Sequence, residues 1–303
     1  MQKNFGKVLG EFIRTSQPLA LLAGALLYAC GVGVLVYLGE AVDWSVYWLG
    51  QAVVTLLQLS SVYLKSYYDL VPEIPRSSSS NNGRLDDWKP VSRNLYLLAA
   101  ATTLTVGAMT TFVLYSRGAL QPASLIFLGI AWLFAFFYGV PPLRLVYSGY
   151  GELISAIFLT TLVPGFAYLL QRGELIPVMG LFNFPLLALF LAFSLATSLE
   201  TYFSEIKAGR QNMMIRLGWQ RGMILHNFLI GLAFLLVGIS PLTGLAWSLT
   251  WPRLLVLPVG IFQVWQMVQI ANGAKPNWRL LRLTAAASFG LLLYLQVFSL
   301  WTG

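Results

Sequence analysis

The chain is a succession of long uncharged stretches, each close to the length that crosses a bilayer. A hydrocarbon core about 30 Å thick takes roughly 20 apolar residues of helix. Nine runs meet that requirement: residues 18–38, 44–64, 95–116, 123–140, 153–170, 181–199, 222–239, 254–270 and 283–301. The run at 254–270 is the least uniform, with Pro258, Gln263 and Gln269 inside it. Only 10% of the residues are charged, against about 25% in soluble domains, and the mean hydropathy is +0.71. The expected fold is therefore all-α and integral to the membrane: one domain over residues 1–303, a nine-helix bundle.

The loops orient this bundle. With nine spans the connections alternate sides, and all but Arg117, Arg172 and Arg253 of the 19 lysines and arginines fall on the side of the N-terminus. Basic loops stay cytoplasmic. The N-terminus is thus expected inside and the C-terminus outside, in the inner (cytoplasmic) membrane of the cell. The net charge of +8 belongs to the inner face, where it serves topology and attraction to anionic lipid, or holds an anionic substrate. Nucleic acid is not an expected partner, because the basic residues are spread over separate loops. Lys3 and Lys7 ahead of the run ending Leu27-Tyr28-Ala29-Cys30 resemble a lipoprotein signal, but Tyr28 is large for such a site. Cys30 is read as a packing residue.

The single cysteine excludes an internal disulfide and a cysteine zinc cage. The single histidine, His226, leaves no histidine metal cluster and is read as a hydrogen-bonding residue of the core or interface. Chemistry is left to carboxylates, cations and hydroxyls, which concentrate in two long loops on the cytoplasmic side. The first, residues 65–93, reads KSYYDLVPEIPRSSSSNNGRLDDWKPVSR, with a low-complexity stretch at 77–83. The second, residues 200–221, reads ETYFSEIKAGRQNMMIRLGWQR. They follow the second and sixth runs, the spacing of a pseudo-repeat. Asp69 and Glu73 are i and i+4, so they share a face if helix continues through them. Thr201 and Glu205 share one likewise, whereas Glu200 and Glu205 point apart. Carboxylates on two facing helix ends suit Mg²⁺, which keeps phosphate oxygens among its ligands. Lys65, Lys89, Arg93, Lys207 and Arg210 would neutralise a diphosphate. Acids beside many bases also form screened surface pairs in any polar loop.

Residues 138–153, YGVPPLRLVYSGYGEL, resemble the signature of the UbiA superfamily of intramembrane prenyltransferases. The match is at Pro141, Pro142, Leu143, Arg144, Leu145, Tyr147, Gly149, Gly151 and Glu152. The style is most similar to the branch that prenylates 1,4-dihydroxy-2-naphthoate in the menaquinone pathway. Lys65–Glu73 falls at the family's first aspartate-rich motif, Asn-Asp-x-x-Asp-x-x-x-Asp, and Lys89-Pro90 where many members have Arg-Pro. Thr201–Glu205 falls at the second motif, Asp-x-x-x-Asp, followed by Gly209–Gly218 in place of Gly-Lys-x-Thr-x-x-x-x-Leu-Gly. The resemblance covers roughly residues 10–300. The chain departs at the motifs themselves: Lys65, Ser66 and Glu73 replace Asn, the first Asp and the last Asp, and Thr201 and Glu205 replace the aspartates of the second.

The resemblance implies transfer of a polyprenyl group from a prenyl diphosphate to an aromatic, quinone-precursor-like acceptor. It implies a central cavity open to the cytoplasmic side, with Mg²⁺ on Asp69, Glu73, Glu205 and Glu200, diphosphate on Lys65, Lys89, Arg93, Lys207 and Arg210, and catalytic roles for Lys65, Asp69 and Arg144. The replaced aspartates fit a second reading, a member that binds a prenyl lipid or quinone, or acts as a partner protein, without catalysis. A transporter or channel would want ionisable groups deep in the spans, where only His226 is expected. The topology is checked by a reporter fused after Gly303: it should sit outside, and a cytoplasmic signal there would break the nine-span count.

Overall fold

The computed structural model describes residues 10–70 and 92–303, and they are helical almost throughout, with no strand among them. Glu73, Lys89 and the stretch at 77–83 lie outside the described residues. Helix covers the greater part of each expected run: α1 (Pro18–Tyr37), α2 (Trp44–Asp69), α3 (Arg93–Ser116), α4 (Pro122–Phe137), α5 (Gly151–Arg172), α6 (Met179–Lys207), α7 (Trp219–Ile239), α8 (Trp247–Ala271) and α9 (Trp278–Thr302). Among the described residues seven helices are long and apolar enough to cross a membrane. The other two are α4, of 16 residues, and α2, which carries Gln51, Thr55, Gln58, Ser60, Ser61 and Lys65.

The order of packing closes the bundle. α2 lies chiefly along α3, and α6 along α7, while α9 packs on α1, α6 and α8 and so brings the last helix against the first. Side chains such as Leu19, Phe112, Ile224, Leu242 and Leu283 point outward and are exposed. A patch-free soluble surface would not carry them, but a lipid-facing one does. Between helices no hydrophobic force operates in lipid, so small residues set the approach. A β-carbon on Gly31 would stand 2.2 Å from the Pro164 carbonyl oxygen, backbone against backbone between α1 and α5. One on Gly50 would meet the Tyr28 hydroxyl at 2.1 Å. Trp301 donates from Nε1 to the Ala29 carbonyl at 3.0 Å, locking α9 to α1.

Two helices are irregular where proline requires it. In α5 a π-helical turn over Phe158–Leu162 precedes Pro164, and wide turns of this kind absorb the missing donor. α8 comes as Trp247–Leu254 and Leu257–Ala271, with Pro258 opening the second piece.

Here one expectation is corrected. Arg253, placed in an outer loop on sequence, lies inside α8 and is fully buried. Its Nε donates to the Leu249 carbonyl at 2.8 Å and its Nη2 to the Ser240 hydroxyl at 3.3 Å, while the guanidinium stands 5.5 Å from the Phe182 ring. His226 is thus not the only ionisable group within the spans. His226 is also fully buried, its Nδ1 2.9 Å from Asn227 Oδ1 and its Nε2 3.4 Å from Gln263 Nε2, the hydrogen-bonding core residue expected. Cys30 is buried and accepts from Gln296 Nε2 at 3.0 Å. Because Gly31 faces backbone that cannot rotate away, Gly31→Val should cost about 1–3 kcal/mol, the usual range for overpacking. Unfolding of the detergent-solubilised protein would measure it, with Gly238→Val, in open space, as the reference.

Candidate functional site

The site is built where α2 ends and the connection between α4 and α5 folds over it. α2 runs to Asp69 and is capped at Leu70, so helix does carry Lys65 and Asp69 one turn apart on the same side. Gly139 lies against that last stretch: a β-carbon there would be 2.5 Å from Lys65 Cα. Only glycine lets the two backbones meet so closely. Beyond it the chain turns back on itself, Arg144 N donating to the Val140 carbonyl and Val146 N to that of Tyr138, each at 3.0 Å. Arg144 takes a left-handed conformation at φ 36°. A non-glycine residue pays for that conformation, and its side chain is returned onto Asp69 by it.

Asp69 is held at both oxygens. Arg144 Nη2 donates to Oδ1 at 2.8 Å, and the Tyr147 hydroxyl donates to Oδ2 at 2.9 Å. The pair is only partly exposed, at 28% and 22%. Burial first, then the Asp69 charge and its hydrogen bond, push the Tyr147 phenol well above its ordinary range, so it remains a protonated donor. Three cations surround the Tyr147 ring: Arg210 at 5.0 Å, Arg144 at 5.1 Å and Lys65 at 5.8 Å from its centroid. Such placements over an aromatic face are attractive. Arg210 also reaches Glu205 at 3.8 Å, a loose pair beyond hydrogen-bond distance. Tyr147 thus joins the end of α2 to the segment after α6.

A second link comes from Glu152, in the first turn of α5. Its Oε1 accepts from the Ser198 hydroxyl and its Oε2 from the Met213 N–H, both at 3.1 Å. The carboxylate therefore ties α5 to α6 and to the helical turn Met213–Leu217. Arg216 of that turn stacks on Tyr150 at 4.1 Å.

Of the sequence-derived candidates, Lys65, Asp69, Arg144, Arg210 and Glu205 are linked around Tyr147. Arg93, at the start of α3, lies instead on the Tyr67 ring at 4.1 Å, and Lys207 is an exposed residue at the end of α6. Glu200 faces another way, paired through Oε2 with Arg282 Nε of α9 at 3.1 Å. Among the described residues the donors do not complete the magnesium arrangement that the resemblance implies, and Glu73 lies outside them. Both Asp69 oxygens are engaged, and no group of three or more Asp, Glu, His or Cys suited to a metal occurs among the described residues. The hydroxyls of Ser66 and Thr201 bond back to the Val62 and Ser198 carbonyls at 2.9 and 3.4 Å. The role of Tyr147 was not legible in the sequence, where it stood only as one matched position; its ring-and-cation setting is tertiary.

No family model matches the chain, and no curated protein matches it in sequence. Solved structures do match in shape. A UbiA homolog from Archaeoglobus fulgidus bound to GPP and Mg²⁺ superposes with a TM-score of 0.64 at 17% identity, over 96% of this chain and 99% of that one. The apo structure of a UbiA homolog from Aeropyrum pernix K1 gives 0.62 at 14% identity, over 90% and 97%. A structure of digeranylgeranylglyceryl phosphate synthase gives 0.60 at 16%, over 97% and 98%. At this identity the likeness shows a shared fold along nearly the whole of each chain.

The Asp69 link can be tested alone. Tyr147→Phe removes one hydrogen bond to a partly buried carboxylate and should cost about 1.5–3 kcal/mol, the range for bonds to charged groups. In an Asp69→Asn background the same change should cost clearly less, because the two residues share one interaction. Equal costs in both backgrounds would mean that the contact contributes nothing.

Proposed function

We propose that the chain is an intramembrane prenyltransferase of the UbiA kind, moving a polyprenyl group from a prenyl diphosphate to an aromatic, quinone-precursor-like acceptor. One observation carries the reading. The carboxylate and cation cluster around Tyr147 is assembled from the ends of α2 and α6 and the α4–α5 connection, within a fold shared with a homolog bound to GPP and Mg²⁺. Nine spans with the N-terminus and this cluster on the cytoplasmic side, over a cavity at the bundle centre, belong to the same proposal.

Leaving of a diphosphate puts negative charge on its oxygens as the carbon–oxygen bond breaks. Cations fixed in place stabilise that charge without reorganising, and the gain is larger where water is excluded. Lys65, Arg144 and Arg210, gathered at Tyr147, are the groups we assign to it, with Arg93, Lys207 and Lys89 as further diphosphate-binding candidates. Tyr147 holds Lys65 and Arg210 near its ring and donates a hydrogen bond to Asp69. Asp69 orients Arg144. A divalent ion, when bound, would supply further charge at the diphosphate; Glu73 and Glu205 are the acids proposed to hold it, with Glu200 paired to Arg282.

A second reading is favoured by the closed state of Asp69: a member that binds a prenyl lipid or quinone, or serves as a partner protein, and does not turn over. Diphosphate release from a prenyl diphosphate by the purified protein, across a Mg²⁺ titration, separates the two. Release is expected, and its absence at every Mg²⁺ concentration would sink the enzyme. In the active protein Lys65→Ala should lower turnover at least about tenfold, or about 1.4 kcal/mol of transition-state stabilisation. An active wild type indifferent to Lys65→Ala would remove Lys65 from the site and leave the reaction standing.

A further inference from the structure

An open groove of about 540 Å³ lies apart from the Tyr147 cluster, between the end of α6 and the start of α9. It is lined by Glu200, Lys275, Pro276, Asn277, Trp278, Arg279 and Arg282. Three cations stand against one acid, and that acid is already taken: Glu200 Oε2 accepts from Arg282 Nε at 3.1 Å. Among the described residues no carboxylate pairs with Lys275 or Arg279. Arg144, Arg93 and Arg216 on this side are engaged otherwise, with Asp69, on Tyr67 and on Tyr150, whereas Arg14, Lys207 and Arg221 are scattered exposed positions. The groove therefore holds a positive excess with room beside it.

We propose that this groove binds the phosphodiester headgroup of an anionic phospholipid. Its depth argues for lipid over a soluble anion. Trp278 is the first residue of a helix that is long and apolar enough to span a membrane, and tryptophan at such an end sits at headgroup level. Leu280 and Leu283, within the next two turns, are exposed to the acyl region. A phosphodiester offers two anionic oxygens, matched by the fork of Arg279 and the point charge of Lys275. Arg282 is fixed by Glu200 and rims the same space. The backbone at the helix start is largely spoken for, since Asn277 Oδ1 accepts from Leu280 N at 3.2 Å; the recognition is by side chains. Surface attraction alone draws any basic loop to anionic lipid, so the inference is a site, with the groove residues outweighing other cations of the same face.

The test uses the full chain purified in detergent, with thermal unfolding followed as phosphatidylglycerol, phosphatidylcholine or inorganic phosphate is titrated. Lys275→Gln with Arg279→Gln empties the groove of its unpaired charge, and Arg14→Gln with Arg221→Gln removes the same charge from exposed positions elsewhere on that side. Phosphatidylglycerol should raise the unfolding temperature of the wild type and of the control. The groove variant should need at least about tenfold more lipid for the same shift, about 1.4 kcal/mol of binding. Groove and control variants responding alike would overturn the site, as would a phosphatidylcholine response equal to that of phosphatidylglycerol. A shift with inorganic phosphate as large as with lipid would overturn the lipid assignment. Lys275 lies in an exposed connection, so Lys275→Gln alone carries the comparison if the double variant fails to fold.

Discussion

Hydrocarbon offers a peptide group no water to bond with, and an unsatisfied one there costs several kcal/mol. Each apolar run in this chain answers that constraint by closing its hydrogen bonds within itself as helix. What varies is how the few exceptions are repaired. Pro164 is preceded by a π-helical turn, and Arg253 spends two of its nitrogens on the Leu249 carbonyl and the Ser240 and Thr250 hydroxyls of its own neighbourhood. The same rule drives the charged residues of the candidate site to the helix ends. Asp69, Lys65 and Glu205 stand at the last turns of α2 and α6, where the chain leaves the apolar layer.

Those ends need a third element to meet. The α4–α5 connection provides it through close backbone contact at Gly139, a left-handed Arg144 and the hydrogen bond from Tyr147 to Asp69. Glu152 repeats the function one turn later by holding Ser198 and the Met213 N–H. Among the described residues each acidic segment is tied to this connection, Asp69 through Arg144 and Tyr147 and Arg210 through the Tyr147 ring. A change in the connection would be felt at both segments, which makes it the place where binding at one side could be sensed at the other.

The helices were legible because burial in lipid leaves a blunt signal, a run of uncharged residues of fixed length. Their ends were less so. α2 reaches five residues past its apolar run to Asp69, since polar residues continue a helix freely once it has left the hydrocarbon. Arg253 was misplaced for a related reason: a charge reads as a loop unless its partners are known, and those partners lie partly beyond its own helix, at Ser240. In the candidate site, Lys65, Arg144 and Arg210 come together around one ring, while Arg93 lies on Tyr67. Tyr147 could not be singled out, because nothing local distinguishes a tyrosine that holds a carboxylate and three cations from one that faces lipid headgroups. Glu200 had the right chemistry and the right segment but the wrong direction, as its five-residue offset from Glu205 already implied.

The balance of charge at the site bears on how a diphosphate would be held. A two-metal site needs several free carboxylate oxygens, and here each of the two on Asp69 already accepts a hydrogen bond, one from an arginine and one from a phenol. Where the family motifs have further aspartates, Ser66 and Thr201 turn their hydroxyls back to their own helices, which leaves them neutral and occupied. Lys65 adds a positive charge at a position where a neutral metal ligand is expected. Each of these departures moves the site in one direction, from acids that recruit a cation toward cations carried by the chain itself. An ammonium and two guanidiniums form hydrogen bonds to phosphate oxygens, but unlike a chelated ion they are not lost when free metal falls. On the proposed function, the consequence is a site whose affinity for diphosphate persists at low Mg²⁺ and whose metal dependence lies in the acids that remain, Glu205 foremost among the described residues.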